Sequence, residues 1–116
     1  KWDTSAEYIA AYPNVLLGVH RDHAFAIILV PHGPEKTSEH VHLYYATPKT
    51  DPALRAKNAK LWKDVFIEDI FVVEGMQKGR AAAGFDGGRF APAMDGPTHM
   101  FHQWVAQRLR DTESGL

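Results

Sequence analysis

The sequence predicts an α+β fold in which three antiparallel strands precede two helices, in the order β-β-β-α-loop-α. Residues 8–46 contain short apolar or alternating segments separated by turn-forming residues, which is typical of strands joined by tight connections. Residues 52–78 instead repeat apolar side chains with a helical period, and a second apolar stripe occupies residues 100–109. We therefore expect an antiparallel sheet followed by helices.

The strands are predicted from apolar content and from the residues that interrupt it. The candidates are Tyr12–His20, Ala24–Val30 and Ser38–Ala46. Arg21 and Asp22 form the first turn, and the segment Pro31–Pro34 ends the second strand because proline cannot donate a ladder hydrogen bond. The second strand is apolar on both faces, so each face needs a packed layer. We expect further strands from elsewhere in a longer protein, or from a partner chain.

Two helices follow the strands. Asp51 is a good N-cap, Pro52 suits the first helical position, and Gly79 ends the helix after about Lys78. Residues 80–97 are rich in glycine and proline and are predicted to be an irregular loop. The last helix is predicted from the segment 95–97 to about residue 109, with a frayed polar tail from residue 111.

Asp69 is the most informative residue, because it lies near the centre of the apolar arc of the long helix. At 100° per residue one arc contains Asn58, Trp62, Val65, Phe66, Asp69, Val72, Val73 and Met76. We expect this arc to be buried, and a buried carboxylate must be paired, hydrogen-bonded or bound to a metal. Two interpretations remain open from the pattern alone: a structural ion pair, or a metal ligand or catalytic carboxylate.

Other polar and aromatic residues carry weaker signals. Three histidine pairs share a face or a turn: His40 with His42, His99 with His102, and His20 with His23. None has the spacing of a known zinc site. We expect the first pair on a solvated or interface face, the second on the flank of a helix, and the third in a surface turn. The aromatic residues Trp62, Phe66, Trp104 and Tyr12 are more typical of a core than of a pocket.

The composition excludes several classes of protein. A formal net charge of -1 over 116 residues predicts neither a nucleic-acid partner nor a polybasic membrane surface. The apolar run Ala24–Val30 is far shorter than the roughly 20 residues of a membrane span, and no signal-peptide pattern is visible. The absence of cysteine excludes disulfides and thiolate metal sites within this chain and fits a reducing compartment. We expect a cytoplasmic location.

Three segments together resemble a known family. They are Tyr12–Leu17 continuing to His20–His23, Trp62–Asp69 continuing to Glu74–Gly79, and His99–Trp104. In this order they resemble the C-terminal part of the catalytic domain of Rieske-type ring-hydroxylating oxygenase α subunits, over roughly residues 10–109. The pattern Glu-Asp, four residues, then Glu-x-x-Gln-x-Gly is the strongest part of this resemblance.

The resemblance implies a helix-grip (START/Bet v1-like) fold, in which a long helix crosses a curved antiparallel sheet. It also implies a mononuclear Fe(II) held by two histidines and one carboxylate, and the motif position makes that carboxylate Asp69 rather than Glu68. Val65 and Phe66, one turn earlier, would line the substrate pocket, and Tyr12 and Asn14 are weaker pocket candidates. At Asp95 the family is expected to carry glutamate, and we expect Asp95 to keep an N-cap role.

The chain lacks several iron ligands that the resemblance implies. The two histidine ligands and the [2Fe–2S] Rieske cluster belong to upstream segments, and none of the seven histidines matches the iron pair. We therefore expect residues 1–116 to be a single domain, the C-terminal fragment of a larger catalytic domain, and inactive alone.

The implied activity is O₂-dependent mono- or dioxygenation of an aromatic or other small organic substrate. Electrons would come from an NAD(P)H-dependent reductase or a ferredoxin, and family members are usually trimeric. The competing hypothesis is a non-catalytic START-like module that binds a hydrophobic ligand, with Asp69 anchoring a polar group or forming a buried ion pair.

Overall fold

The computed structural model describes residues 5–113, which form four strands and two helices. The elements are β1 (Glu7–Ala11), β2 (Val15–Val19), β3 (Ala24–Gly33), β4 (Lys36–Tyr44), α1 (Pro52–Arg80) and α2 (Gly96–Glu113). The strands form one antiparallel sheet in the order β1-β2-β3-β4. The predicted α+β class and the antiparallel meander are confirmed.

The predicted number of strands was wrong, because β1 precedes the first strand that the sequence predicted. β1 is exposed along its whole length and lacks the apolar alternation that marks a half-buried strand. Residues 12–14 form a turn around Pro13, so β2 begins only at Val15. The end of the second predicted strand also differs, since β3 continues through Pro31 to Gly33. Its pairing with β4 is irregular between these two residues, and a proline without an N–H is tolerated at such a place.

The first half of α1 packs on β3 through aromatic side chains. Phe25, Ala26 and Ile27 are buried on β3, and Asn58 is buried on α1. The Phe25 ring lies 4.4 Å from the Trp62 ring and 5.7 Å from the Phe66 ring, measured between centroids. Gly18 pairs with Phe25 across β2 and β3, and leaves the space that the Phe25 ring occupies. The first half of the predicted apolar arc therefore packs on the sheet.

Both helices begin directly after the predicted residues, but only Asp51 caps its helix with its side chain. Asp51 Oδ1 accepts a hydrogen bond from the Ala53 amide at 2.9 Å, as an N-cap does. The Asp95 carbonyl accepts the His99 amide at 2.8 Å, while its carboxylate accepts the Ala91 amide at 2.7 Å. α2 continues to Glu113, so the predicted fraying from residue 111 was wrong within the described residues.

The chain divides into two compact units, residues 1–79 and residues 80–116. The first contains the sheet and nearly all of α1, and the second contains the glycine-rich loop and α2. No helix in the described part of the chain combines the length and apolarity needed to cross a membrane.

Candidate functional site

Asp69 lies on α1 with an exposed side chain, so the prediction that it is buried was wrong. The sheet covers the helix only as far as Phe66, and every residue from Ile67 to the end of α1 is exposed. Asp69 does lie on the same side of the helix as Asn58, Trp62 and Phe66, as predicted. The prediction was wrong because it assumed that the sheet covers this side along the whole length of the helix. Within residues 5–113, the Asp69 carboxylate has no hydrogen-bond or ion-pair partner.

Apolar side chains surround this exposed carboxylate. Val72, Val73 and Met76 follow Asp69 on the same arc, and between 49% and 62% of each is accessible to solvent. We call these four residues the uncovered face of α1. Apolar surface of this kind on one side of a helix normally marks a contact with another part of a protein or with a ligand.

Val65 and Phe66 connect the uncovered face to the packed half of the helix. Both are half-buried, one turn before Asp69. The Phe66 ring stacks on Trp62 with centroids 5.4 Å apart and meets Phe25 edge-on. Phe66 therefore belongs to the core of the first unit as well as to the neighbourhood of Asp69.

Tyr12 and Asn14 lie on the sheet, in the turn between β1 and β2. Tyr12 is half-buried, and its peptide bond to Pro13 is cis. The Asn14 side-chain amide donates to the Leu29 carbonyl at 3.0 Å, and the Leu29 amide donates to the Asn14 carbonyl at 2.9 Å. Asn14 therefore attaches this turn to β3.

The sequence analysis missed a cluster of polar side chains between the β2–β3 turn and α1, which we call the turn cluster. It consists of Asp22 and His23 from the turn and Asn58 and Trp62 from the helix. His23 is only 8% exposed, so its predicted place in a surface turn was wrong. Its Nδ1 lies 2.9 Å from Asp22 Oδ1, and the Trp62 indole Nε1 donates to its Nε2 at 2.6 Å.

The contacts of His23 determine its tautomer. Because the indole N–H can only donate, His23 Nε2 must accept and carries no proton. The proton is then on Nδ1, which donates to Asp22 Oδ1. Asn58 Nδ2 also lies 3.2 Å from His23 Nδ1, but two donors cannot bond, so the amide donates to Asp22 Oδ2 at 3.2 Å instead. The cluster is therefore a directed chain, Trp62 to His23 to Asp22, with Asn58 donating to the same carboxylate.

Burial and hydrogen bonding shift two pKa values beside this cluster. Donation from His23 and then from Asn58 lowers the pKa of the Asp22 carboxyl. The pKa of His20 is also lowered, first by its burial and then by any positive charge on His23, although Asp22 opposes the shift. The His20 ring stacks on His23 at 4.8 Å, and its Nε2 is buried with no hydrogen-bond partner among the described residues.

One sequence signal could have revealed the turn cluster. Asn58 was already placed on the apolar arc, where a buried amide requires a partner. Trp62 lies four residues later on the same arc and carries an indole N–H with the same requirement. The partner could not be identified from the sequence, because His23 lies 35 residues before Asn58 and only the fold brings them together.

The other two histidine pairs lie as expected. His40 and His42 are exposed on β4, and His99 and His102 are exposed on α2. The last two flank the Phe90 ring, with centroids 5.0 and 5.1 Å away. No group of three histidine, cysteine, aspartate or glutamate side chains converges within residues 5–113 in a way that could hold a metal ion. The Asp69 carboxylate has no partner among these residues, and carboxylate oxygens are groups that a divalent metal can bind.

Comparison with known proteins gives concordant matches. A family model described as "Ring hydroxylating alpha subunit (catalytic domain)" matches residues 2–111. Choline monooxygenase, chloroplastic, from Atriplex hortensis is 30% identical over 108 residues, and the protein of the same name from Arabidopsis thaliana is 29% identical over 109 residues. Each alignment covers 92% of this chain but 25% of the relative, so the chain spans about a quarter of their length. No solved structure matches the chain.

Proposed function

Because the chain belongs to the family of ring-hydroxylating α-subunit catalytic domains, we propose that it is the C-terminal part of the catalytic domain of an O₂-dependent Rieske non-haem iron oxygenase. In this proposal Asp69 is the carboxylate ligand of a mononuclear Fe(II), and residues 1–116 are one part of that larger domain. The coverage of about a quarter of each relative supports the assignment to a longer protein.

The position of Asp69 is the observation on which the proposal depends. Its carboxylate is unpartnered, it stands on a helix whose preceding turns are packed, and apolar side chains surround it. A ligand held by a rigid element within an apolar surface is suited to a metal site from which water is largely excluded. The other two ligands, both histidines, and the [2Fe–2S] Rieske cluster would come from residues outside this chain, so the chain alone is inactive.

Each residue has a defined task in this proposal. When bound, the iron would supply the activation of O₂. Asp69 holds the iron and offsets part of its charge, while Val65 and Phe66 line the substrate side of the helix and keep it apolar. Tyr12 and Asn14 contribute to the pocket from the β1–β2 turn.

The proposed substrate is an aromatic or other small organic molecule. Both relatives are named for choline, which supports a small quaternary amine as one candidate and monooxygenation as the reaction. The electrons would come from an NAD(P)H-dependent reductase or a ferredoxin, and the assembly would be a homotrimer. We propose a cytoplasmic location.

Iron analysis of the full-length protein tests the proposal. A subunit with a [2Fe–2S] cluster and one mononuclear iron contains about three iron atoms. Asp69→Ala is expected to reduce this to about two while the cluster spectrum persists, because the open site loses one of three protein ligands. Glu68→Ala, the adjacent carboxylate, is the matched control and should retain all the iron. Full iron content in Asp69→Ala would show that Asp69 is not a ligand.

A second candidate function is a non-catalytic START-like module that binds a hydrophobic ligand. The exposed apolar surface around Asp69 favours it. Saturable binding of a hydrophobic ligand to the iron-free protein, with no turnover in the presence of a reductase and O₂, would support this function over the oxygenase.

A further inference from the structure

The two α1 residues of the turn cluster, Asn58 and Trp62, lie on the same side of the helix as Asp69. Asn58, Trp62 and Phe66 are spaced four residues apart, and Asp69 follows three residues later. At 100° and 1.5 Å per residue, Asp69 lies about 20° around the helix from Trp62 and roughly 10 Å further along its axis. The side chains that attach the helix to the sheet therefore share one face with the proposed ligand.

Hydrogen bonds restrict the rotation of the helix in a way that apolar packing does not. The rings of Phe25, Trp62 and Phe66 pack at 4.4 to 5.7 Å, and such ring contacts tolerate a broad range of distances and tilts. The indole N–H bond to His23 and the Asn58 bond to Asp22 need a defined direction. Rotation by one residue position would leave the polar groups of the buried His23 and Asn58 and of the half-buried Trp62 without partners, which is costly.

We propose that the turn cluster sets the rotation of α1 about its axis and thereby aims Asp69 at the iron. His23, Trp62 and Asn58 are positioning residues in this inference, since they act through the helix and do not touch the metal. No described contact restrains α1 beyond Phe66 from within the first unit, so the orientation of Asp69 depends on the packed half. The inference rests on the proposed function of Asp69.

Trp62→Phe in the full-length protein is the most direct test. It keeps an aromatic ring against Phe25 and Phe66 but removes the indole N–H that His23 Nε2 accepts. The protein is first depleted of mononuclear iron, and Co²⁺ is then titrated into the emptied site by calorimetry. We expect Co²⁺ to bind about tenfold more weakly, the lower end of the effect of residues that orient metal ligands.

Controls separate positioning from general stability. Trp104→Phe makes the same chemical change on α2, in the other unit, and should leave Co²⁺ affinity unchanged. His23→Gln retains an acceptor in place of Nε2 and should bind Co²⁺ more tightly than His23→Leu, which retains none. If Trp62→Phe does not yield folded protein, the comparison of the two His23 variants decides. A lower unfolding temperature with unchanged Co²⁺ affinity would mean a structural role only and would overturn the inference.

Asp69→Ala, measured in the same titration, distinguishes failure of the positioning inference from failure of the proposed function. If Asp69→Ala abolishes Co²⁺ binding while Trp62→Phe and both His23 variants bind normally, the ligand assignment stands and the positioning inference fails. If Asp69→Ala binds Co²⁺ like the unmodified protein, the proposed function itself fails.

Discussion

The two halves of α1 have similar apolar content but opposite surroundings. From Asn58 to Phe66 the helix packs on β3, and its polar side chains bond to the β2–β3 turn. From Ile67 to Arg80 every residue is exposed, including the aromatic Phe71 at 81%. An arc of apolar side chains therefore predicts which side of a helix can be buried, whereas the sheet determines how much of that side is buried.

Asp69 lies in the exposed half of α1, outside the region that packs on the sheet. The first half has the directional contacts that hold the helix, and the second half presents a carboxylate among apolar groups. In the proposed metal site, the packed half would hold the helix rigid while the exposed half presents Asp69 as the ligand. The predictions that follow test whether the two halves differ as described.

The largest expected effect comes from the core ring on β3. Phe25 is 5% exposed, so Phe25→Ala should lower the free energy of unfolding by about 3–5 kcal/mol, through lost burial and the cavity it leaves. Phe71→Ala makes the same change on the exposed half and should alter it by less than about 0.5 kcal/mol. Urea unfolding of the 116-residue chain measures both. Equal losses in the two variants would contradict the division of α1 into packed and exposed halves.

A pair of glycine substitutions should change stability in opposite directions. A Cβ at Gly18 would overlap the Phe25 ring, so Gly18→Ala should destabilise the chain by about 1–3 kcal/mol as the ring is displaced. Nothing lies within 4 Å of the corresponding position at Gly75, in the exposed half of α1. Gly75→Ala should therefore stabilise by up to about 1 kcal/mol through helix propensity. Destabilisation by both in the urea unfolding of the chain would show that the second half is covered.

Val73→Ala should change the free energy of unfolding differently in the 116-residue chain and in the full-length protein. This side chain is 62% exposed and lies on the uncovered face with Asp69. In the 116-residue chain Val73→Ala should be nearly neutral. If the proposed larger domain covers this face, the same change in the full-length protein should cost about 1–2 kcal/mol. Urea unfolding of both proteins provides the comparison, with Phe25→Ala as a control that should be costly in each. A neutral effect in both would identify the uncovered face as a free surface.

The sequence was sufficient for features that depend on local patterns. Asp51 and Pro52 predicted the start of α1, and the apolar arc predicted that Asn58, Trp62 and Phe66 face the sheet. β1 was missed because an exposed edge strand has no alternation to detect.

The partner of Asn58 and Trp62 in the turn cluster and the exposure of Asp69 could not be predicted from the sequence, for a physical reason. Both depend on how far the sheet extends along the helix, which is set by strand register and length rather than by any local pattern. His23 was taken for a surface residue because polar residues in turns usually are exposed, whereas here the turn packs against α1 and buries it.

The smallest expected effect is a pH dependence that arises at the packed end of α1. Because the pKa of His20 is lowered in the folded chain, the unfolded state binds more protons as the pH falls below the ordinary histidine value of about 6.5. Stability should therefore decrease with falling pH from there down to the lowered pKa, whereas above about 6.5 His20 should contribute no pH dependence. Asp22 acts in a separate window, since its lowered pKa keeps its contribution intact until the pH falls to about 4. Between pH 7.5 and 5.5 the thermal midpoint should fall more in the unmodified chain than in His20→Gln, which cannot titrate at that position. Parallel curves for the two proteins would mean that the folded state protonates His20 as readily as the unfolded chain does.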